Sequence, residues 1–223
     1  MSNNLLLQNS SRYLNDDGFL NLISDQGVCV LSDLLLNQTH IDTFWQTYYG
    51  SSVARVVICG INPGRHGAGK TGIPFLDFQS LAQLIPGVER SDSEGSAGFF
   101  YQVVKRVGAS AFFPTFYVTN IASVGFACEG KNLNYNELPG PALEIVERNF
   151  LLEMAVVQPT HIISLGEVVH ATVNKLMGKE VDCTRRLPHP SWITTYRRNE
   201  SEKWLSHYLA ELGPFLEETH KER

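Results

Sequence analysis

Val56-Val57-Ile58-Cys59 is an unbroken apolar run rich in β-branched residues, and the stretch from Gly60 to Gly72 that follows holds six residues of Gly or Pro. A short apolar run of this type reads as a strand buried on both faces, the form strands take inside a parallel sheet. The loop that leaves its carboxyl end is therefore the place where such a sheet meets a ligand. Glycines there let backbone approach without a Cβ in the way.

Three further segments read as strands: Thr115 to Ile121, entered through Pro114; His161 to Leu165; and Val181 to Leu187, which delivers His189. Helical spacing fills the intervals. It covers one or two helices in Arg12 to Leu36, then Ile41 to Tyr49, Leu76 to Ile85 ahead of Pro86-Gly87, and Phe99 to Val107. Further on it covers Leu143 to Val157 opened by Pro141, a helix from Gly166 to about Met177, and Glu200 to Leu212. Met1 to Ser10 is a polar start that should fray. Strand and helix alternation implies a parallel sheet with helices on both faces, and Asn62, Asn120 and His189 each follow the end of a proposed strand. With 223 residues and 43% apolar content, one substantial core and a single domain over residues 1–223 are expected, residues 1–50 forming a helical extension packed on it.

The loop also matches a phosphate-binding pattern, since Gly64, Gly69, Lys70 and Thr71 fit G-x-x-x-x-G-K-[ST]. That motif needs its first Gly directly off the strand and a helix starting at the Lys-Thr pair. Here four residues, Gly60 to Pro63, intervene, and Gly72 and Pro74 occupy the place of the first helical turn. Nucleotide binding is thus the weaker reading of this loop.

The net charge of −5 excludes a generally basic nucleic-acid coat but not a protein that grips a few phosphates locally. Arg185/Arg186 and Arg197/Arg198 flank His189 and could form such a patch. The four cysteines, Cys29, Cys59, Cys128 and Cys183, are too far apart for a Cys-x-x-Cys pair, so no metal or redox cofactor is expected. The absence of a signal-like start and of an 18-residue apolar run predicts a cytoplasmic protein, associated with the nucleoid in a bacterium.

Taken together, Gly60-Ile61-Asn62-Pro63-Gly64, Thr71-Gly72-Ile73-Pro74-Phe75 and Leu187-Pro188-His189-Pro190-Ser191 resemble the uracil-DNA glycosylase superfamily. The first motif is shared with the mismatch-specific branch. The His-Pro-Ser triplet is similar to the single-strand-selective monofunctional (SMUG-like) branch. Glu129-Gly130-Lys131-Asn132-Leu133 and Glu137-Leu138-Pro139 look like further family segments, and the resemblance spans roughly Val53 to Trp204. It implies a three-layer α/β sandwich around a central four-stranded parallel sheet, no cofactor, and a monomer that removes uracil from DNA.

The resemblance also assigns roles. Breaking the bond between uracil and deoxyribose leaves positive character on the sugar and negative charge on the base. His189 would donate to uracil O2 and stabilise that anion. Asn62 carries an amide, which cannot act as a general base but can orient water. Phe75 would stack on the extruded base, and Asn120 would read N3–H and O4, a pattern that cytosine presents reversed. Backbone at Ile61 and Gly64 would complete the pocket. Ser191, Trp192, Tyr196, Arg197, Arg198 and Lys131 would contact DNA.

Two departures stand out. The family's Pro-Phe-Gly after the first motif is Arg65-His66-Gly67 here, which leaves selectivity at uracil C5 open. After Ser191 the chain runs Trp192 to Asn199 in place of Pro-Arg-Asn. This reads as a loop from which Trp192, Tyr196 or Arg197 enters the base stack, or which packs back on the closing helix. The departures are compatible with a divergent bacterial subgroup. A zinc deaminase is excluded, since no Pro-Cys-x-x-Cys occurs. A DNA- or uracil-binding module without activity remains compatible with the same residues.

Overall fold

The computed structural model describes residues 4–50 and 54–221, with side chains described through residue 218. In chain order the elements are α1 (Leu5–Leu14), α2 (Asp17–Ser24), β1 (Val28–Val30), α3 (Gln38–Tyr48), β2 (Val56–Gly60), α4 (Ala68–Thr71) and α5 (Phe78–Leu81). Next come α6 (Gly95–Val107), α7 (Ala109–Thr115), β3 (Phe116–Asn120), β4 (Phe126–Cys128), β5 (Lys131–Leu133) and α8 (Gly140–Val157). The last are β6 (His161–Leu165), α9 (Glu167–Met177), β7 (Arg186–Leu187), α10 (Pro190–Tyr196) and α11 (Ser201–Lys221).

Four strands form a parallel sheet in the order β3-β2-β6-β7. The central strand β2 is buried from Val57 to Gly60, and β3 is buried along its whole length. Burial on both faces is why neither strand alternates polar with apolar residues. Helices cover the sheet, with α9 against β6, α7 against β3, and α10 and α11 stacked on α6. The register pairs Gly60 with Asn120 and Leu165 with Leu187, so the carboxyl ends of the strands finish together. Asn62, Asn120 and His189 thus leave the sheet at one edge, which is the arrangement expected of a ligand crevice.

Several sequence expectations need correction. The polar start does not fray from residue 4 onward. Asn4 caps α1 by accepting from Leu6 and Leu7 N–H, and Leu5, Leu6, Asn9 and Ser10 are buried. Met1 to Asn3 lie outside the described residues. The connection after β3 is an ordered hairpin, β4–β5, and β1 from the N-terminal region pairs with β4 to make a second, antiparallel sheet. Strands of three residues carry too short a pattern to be read from periodicity. Pro114 sits inside α7 instead of opening a strand, and the helix expected over Leu76 to Ile85 is the single turn α5. The stretch from Trp192 is not a loop: residues 190–196 form α10.

Candidate active site

The loop that follows Gly60 lines a cavity of about 340 Å³ at the carboxyl end of the sheet, together with Phe75, Asn120 and His189 among others; from the loop itself come Ile61, Asn62 and Gly64. Three inter-strand spacings, roughly 14 Å, separate β3 from β7. Asn120, beyond β3, and His189, beyond β7, both line this cavity. A Cβ at Gly60 would collide with Asn120 Oδ1 and with the Phe75 ring, so only Gly lets these two side chains close on the strand end.

His189 is held by its own helix start. It is the N-cap of α10, where Pro190 takes the first helical position and has no N–H to satisfy. Ser191 N–H donates to His189 Nδ1 at 3.1 Å, and Ser191 Oγ lies 2.7 Å from the same atom. An Nδ1 that accepts puts the proton on Nε2, so the ring presents one N–H donor. Removal from solvent lowers the His189 pKa to about 4, and the imidazole is neutral at physiological pH. The buried Tyr208 hydroxyl donates to Pro188 O and ties this segment to α11.

Asn62 is fixed by the hairpin. Its Nδ2 donates to Leu133 O at 3.2 Å, and its Oδ1 accepts from Tyr135 N–H at 3.0 Å. The two contacts define which end of the amide is oxygen. One lone pair of Oδ1 is left for a water or a substrate hydroxyl. Asn120 is almost fully buried, lines the cavity, and makes no side-chain hydrogen bond to the described residues. Its amide is open to the cavity, where water or a ligand can complete its hydrogen bonds.

Phe75 has φ +57°, a conformation that costs an aromatic residue on the order of 1–3 kcal/mol. The Thr71 hydroxyl holds this turn by donating to Leu76 O at 2.7 Å and accepting from Ile73 N–H. The ring lies 4.9 Å from Phe100 and 5.7 Å from His189, centroid to centroid. Strain over-determined in this way is common at ligand sites.

The same contacts remove the phosphate-loop reading. Lys70 pairs with Asp92 at 2.8 Å, and the Thr71 hydroxyl is buried and spent on the turn. No cluster of His, Cys, Asp or Glu suited to a metal is present among the described residues.

Around the mouth, the basic patch is weaker than its arginines suggest. Arg185 pairs with Glu211, Arg186 with Glu167 and Arg197 with Glu200. Arg198 and Lys131 are exposed and make no ion pair to the described residues. Trp192 packs edge-on against Trp204 at 5.4 Å with Arg197 over its ring, so it rests on the closing helix, whereas Tyr196 is 71% exposed. Sequence reasoning missed Glu94, Asn132 and Asn134, which also line the cavity. Asn132 lay inside a quoted motif but had no assigned role, and Glu94 sits in a polar stretch with no pattern to mark it.

The family model described as the uracil DNA glycosylase superfamily matches residues 47–213. The crystal structure of wild-type SMUG2 from Pedobacter heparinus is similar to the chain, with a TM-score of 0.70 and 27% identity. The match covers 84% of this chain and 88% of that one. No curated protein matches.

Proposed function

Because the chain belongs to the uracil DNA glycosylase superfamily, we propose that it hydrolyses the N-glycosidic bond of uracil in DNA and leaves an abasic site. The observation that carries this reading is one cavity shared by Asn62, Phe75, Asn120 and His189, which come from four separate segments. Each supplies what the reaction requires.

An extruded uracil stacks on Phe75, worth on the order of 1–3 kcal/mol. Asn120 accepts from N3–H and donates to O4, filling the hydrogen bonds that it otherwise lacks. The bond from C1′ to N1 then breaks with its electron pair passing to the base, and charge spreads to O2. His189 Nε2–H donates to O2 as that charge grows; a preorganised donor of this sort contributes roughly 3–4 kcal/mol to the transition state. A neutral imidazole suits the task, since it donates without giving up its proton.

Water oriented by Asn62 Oδ1 bonds to C1′, its proton passes to solvent, and uracil leaves as an anion that solvent protonates. Positioning and leaving-group stabilisation take the place of a strong base. No lysine lines the cavity among the described residues, so no amine is placed to form a Schiff base, and the expected product is an abasic site with an intact strand. Tyr196, Arg198, Lys131 and Ser191 are the proposed DNA contacts, with Trp192 and Arg197 supporting them.

The test is incubation of the protein with end-labelled single- and double-stranded oligonucleotides bearing uracil, followed by alkali. Cleavage at the uracil position after alkali, and none before it, is expected. No cleavage of any uracil substrate contradicts the proposal.

A further inference from the structure

A second cavity, of about 540 Å³, is lined by Arg186, Trp192 and His207 among others. It shares Gly166, Glu167 and His189 with the cavity assigned to the uracil. Cavities with three residues in common are neighbours, and a nucleotide next to the uracil is within reach of the second.

The rings of this cavity come from two helices. Trp192 is on α10 and 36% exposed. His207 is exposed on α11, three residues after Trp204 and so on the same face of that helix. Trp204 packs edge-on against both rings, 5.4 Å from Trp192 and 5.8 Å from His207 between centroids. It thus fixes their spacing before anything binds, and a preformed stacking surface costs little ordering on binding. Trp192 stands in the stretch that replaces the family's Pro-Arg-Asn. A ring already packed on α11 is suited to receive a base and not to enter the stack of a duplex.

The charges of the lining favour an uncharged occupant. Arg186 is paired with Glu167, so the cation that would hold a phosphate is already engaged, and a phosphate there would also sit beside a carboxylate. A nucleobase needs no counter-charge and gains by stacking on flat side chains.

We infer that this cavity is a subsite for the nucleobase next to the excised one on the same strand, stacked against Trp192 and His207. This rests on the uracil-excision reading above. The neighbouring base gives up its own stack, and stacking on the protein offsets that loss. Holding two consecutive bases fixes the register of the strand over His189, which is a gain in positioning.

The experiment measures single-turnover excision, with enzyme below saturation, from single-stranded oligonucleotides carrying one uracil. One oligonucleotide has every base; in two others the base on the 5′ or the 3′ side of the uracil is replaced by a tetrahydrofuran spacer, which keeps the phosphates. Wild type, Trp192→Ala and His207→Ala are compared, with melting curves for each. Excision from the intact oligonucleotide by wild type reports on the proposed function itself, and its absence removes both readings. Given that activity, one spacer is expected to slow wild type about tenfold and the other less than about twofold. Each variant is expected to be slowed by a similar factor on the intact oligonucleotide and to lose its sensitivity to that spacer, whereas a merely structural defect would slow all three substrates equally. His207 is exposed, so its variant keeps the fold and decides the matter if Trp192→Ala does not fold. A spacer effect undiminished in the folded variants overturns the inference. So does tolerance of both spacers by wild type; variants slowed in that case would assign the cavity to the sugar-phosphate backbone instead.

Discussion

His189 shows how one side chain is prepared by its neighbours in sequence. Pro190 starts a helix and Ser191 offers the first free N–H, which the imidazole accepts at Nδ1, leaving the ring proton on Nε2. Loss of solvent lowers its pKa to about 4, so the donor form persists through neutral and mildly acidic pH. The expected single-turnover rate is therefore level between about pH 8 and about pH 6, with a loss only as the pH approaches about 4, where protonation disturbs the Nδ1 contact. A rate that falls several-fold between about pH 7.5 and 6, with the fall removed in His189→Asn, would place this imidazole in the ordinary range and contradict the assignment. The residue itself was legible in the sequence from the motif and its place after a strand. Its tautomer was not, because that depends on a backbone N–H whose direction only the helix start defines.

At the level of elements, the β4–β5 hairpin and the residues after it determine what Asn62 can be. Leu133 O demands a donor and Tyr135 N–H demands an acceptor, which an amide satisfies and a carboxylate does not. Asn62→Asp is accordingly expected to lose at least tenfold in rate at about pH 8, although a carboxylate is the stronger base. Its rate relative to wild type should rise toward about pH 5, where a protonated carboxyl again offers a donor to Leu133 O. A variant as fast as wild type at about pH 8 would show that the hairpin does not select the amide. None of this was visible in the sequence, since strands of three residues paired across the N-terminal region leave no periodic trace. The long buried strands behaved otherwise. Val56 to Cys59 was read from composition alone, because burial on both faces writes itself as an uninterrupted apolar run, and His161 to Leu165 was read from its apolar residues although the buried Ser164 interrupts them. The helix α10 was mistaken for a loop because its seven residues are too few to establish a pattern and its exposed face carries Trp192 and Tyr196.

Across the whole molecule, the N-terminal helix is joined to the sheet through a buried polar group. Glu153 on α8 accepts from the hydroxyls of Tyr117 and Thr119 at 2.8 Å each, and burial raises its pKa to about 7 despite those bonds and despite Arg12 and Asn9 on α1. An acid whose pKa is higher folded than unfolded binds more protons in the folded state, so this group's contribution to stability is present below about pH 4.5 and lost as pH rises toward about 7. From the usual conversion of about 1.4 kcal/mol per pKa unit, the loss is on the order of 3 kcal/mol. Glu153→Gln keeps the acceptor without the charge. Its melting temperature relative to wild type is expected to rise between about pH 5 and about pH 8, and a difference that does not change with pH would contradict the raised pKa. The larger claim is that Asn62 and His189 act on one extruded uracil in one cavity. Single-turnover excision by Asn62→Ala and His189→Ala, with folding checked by circular dichroism, tests it most directly: each is expected to be more than tenfold slower than wild type, and wild-type rates in both folded variants would contradict it.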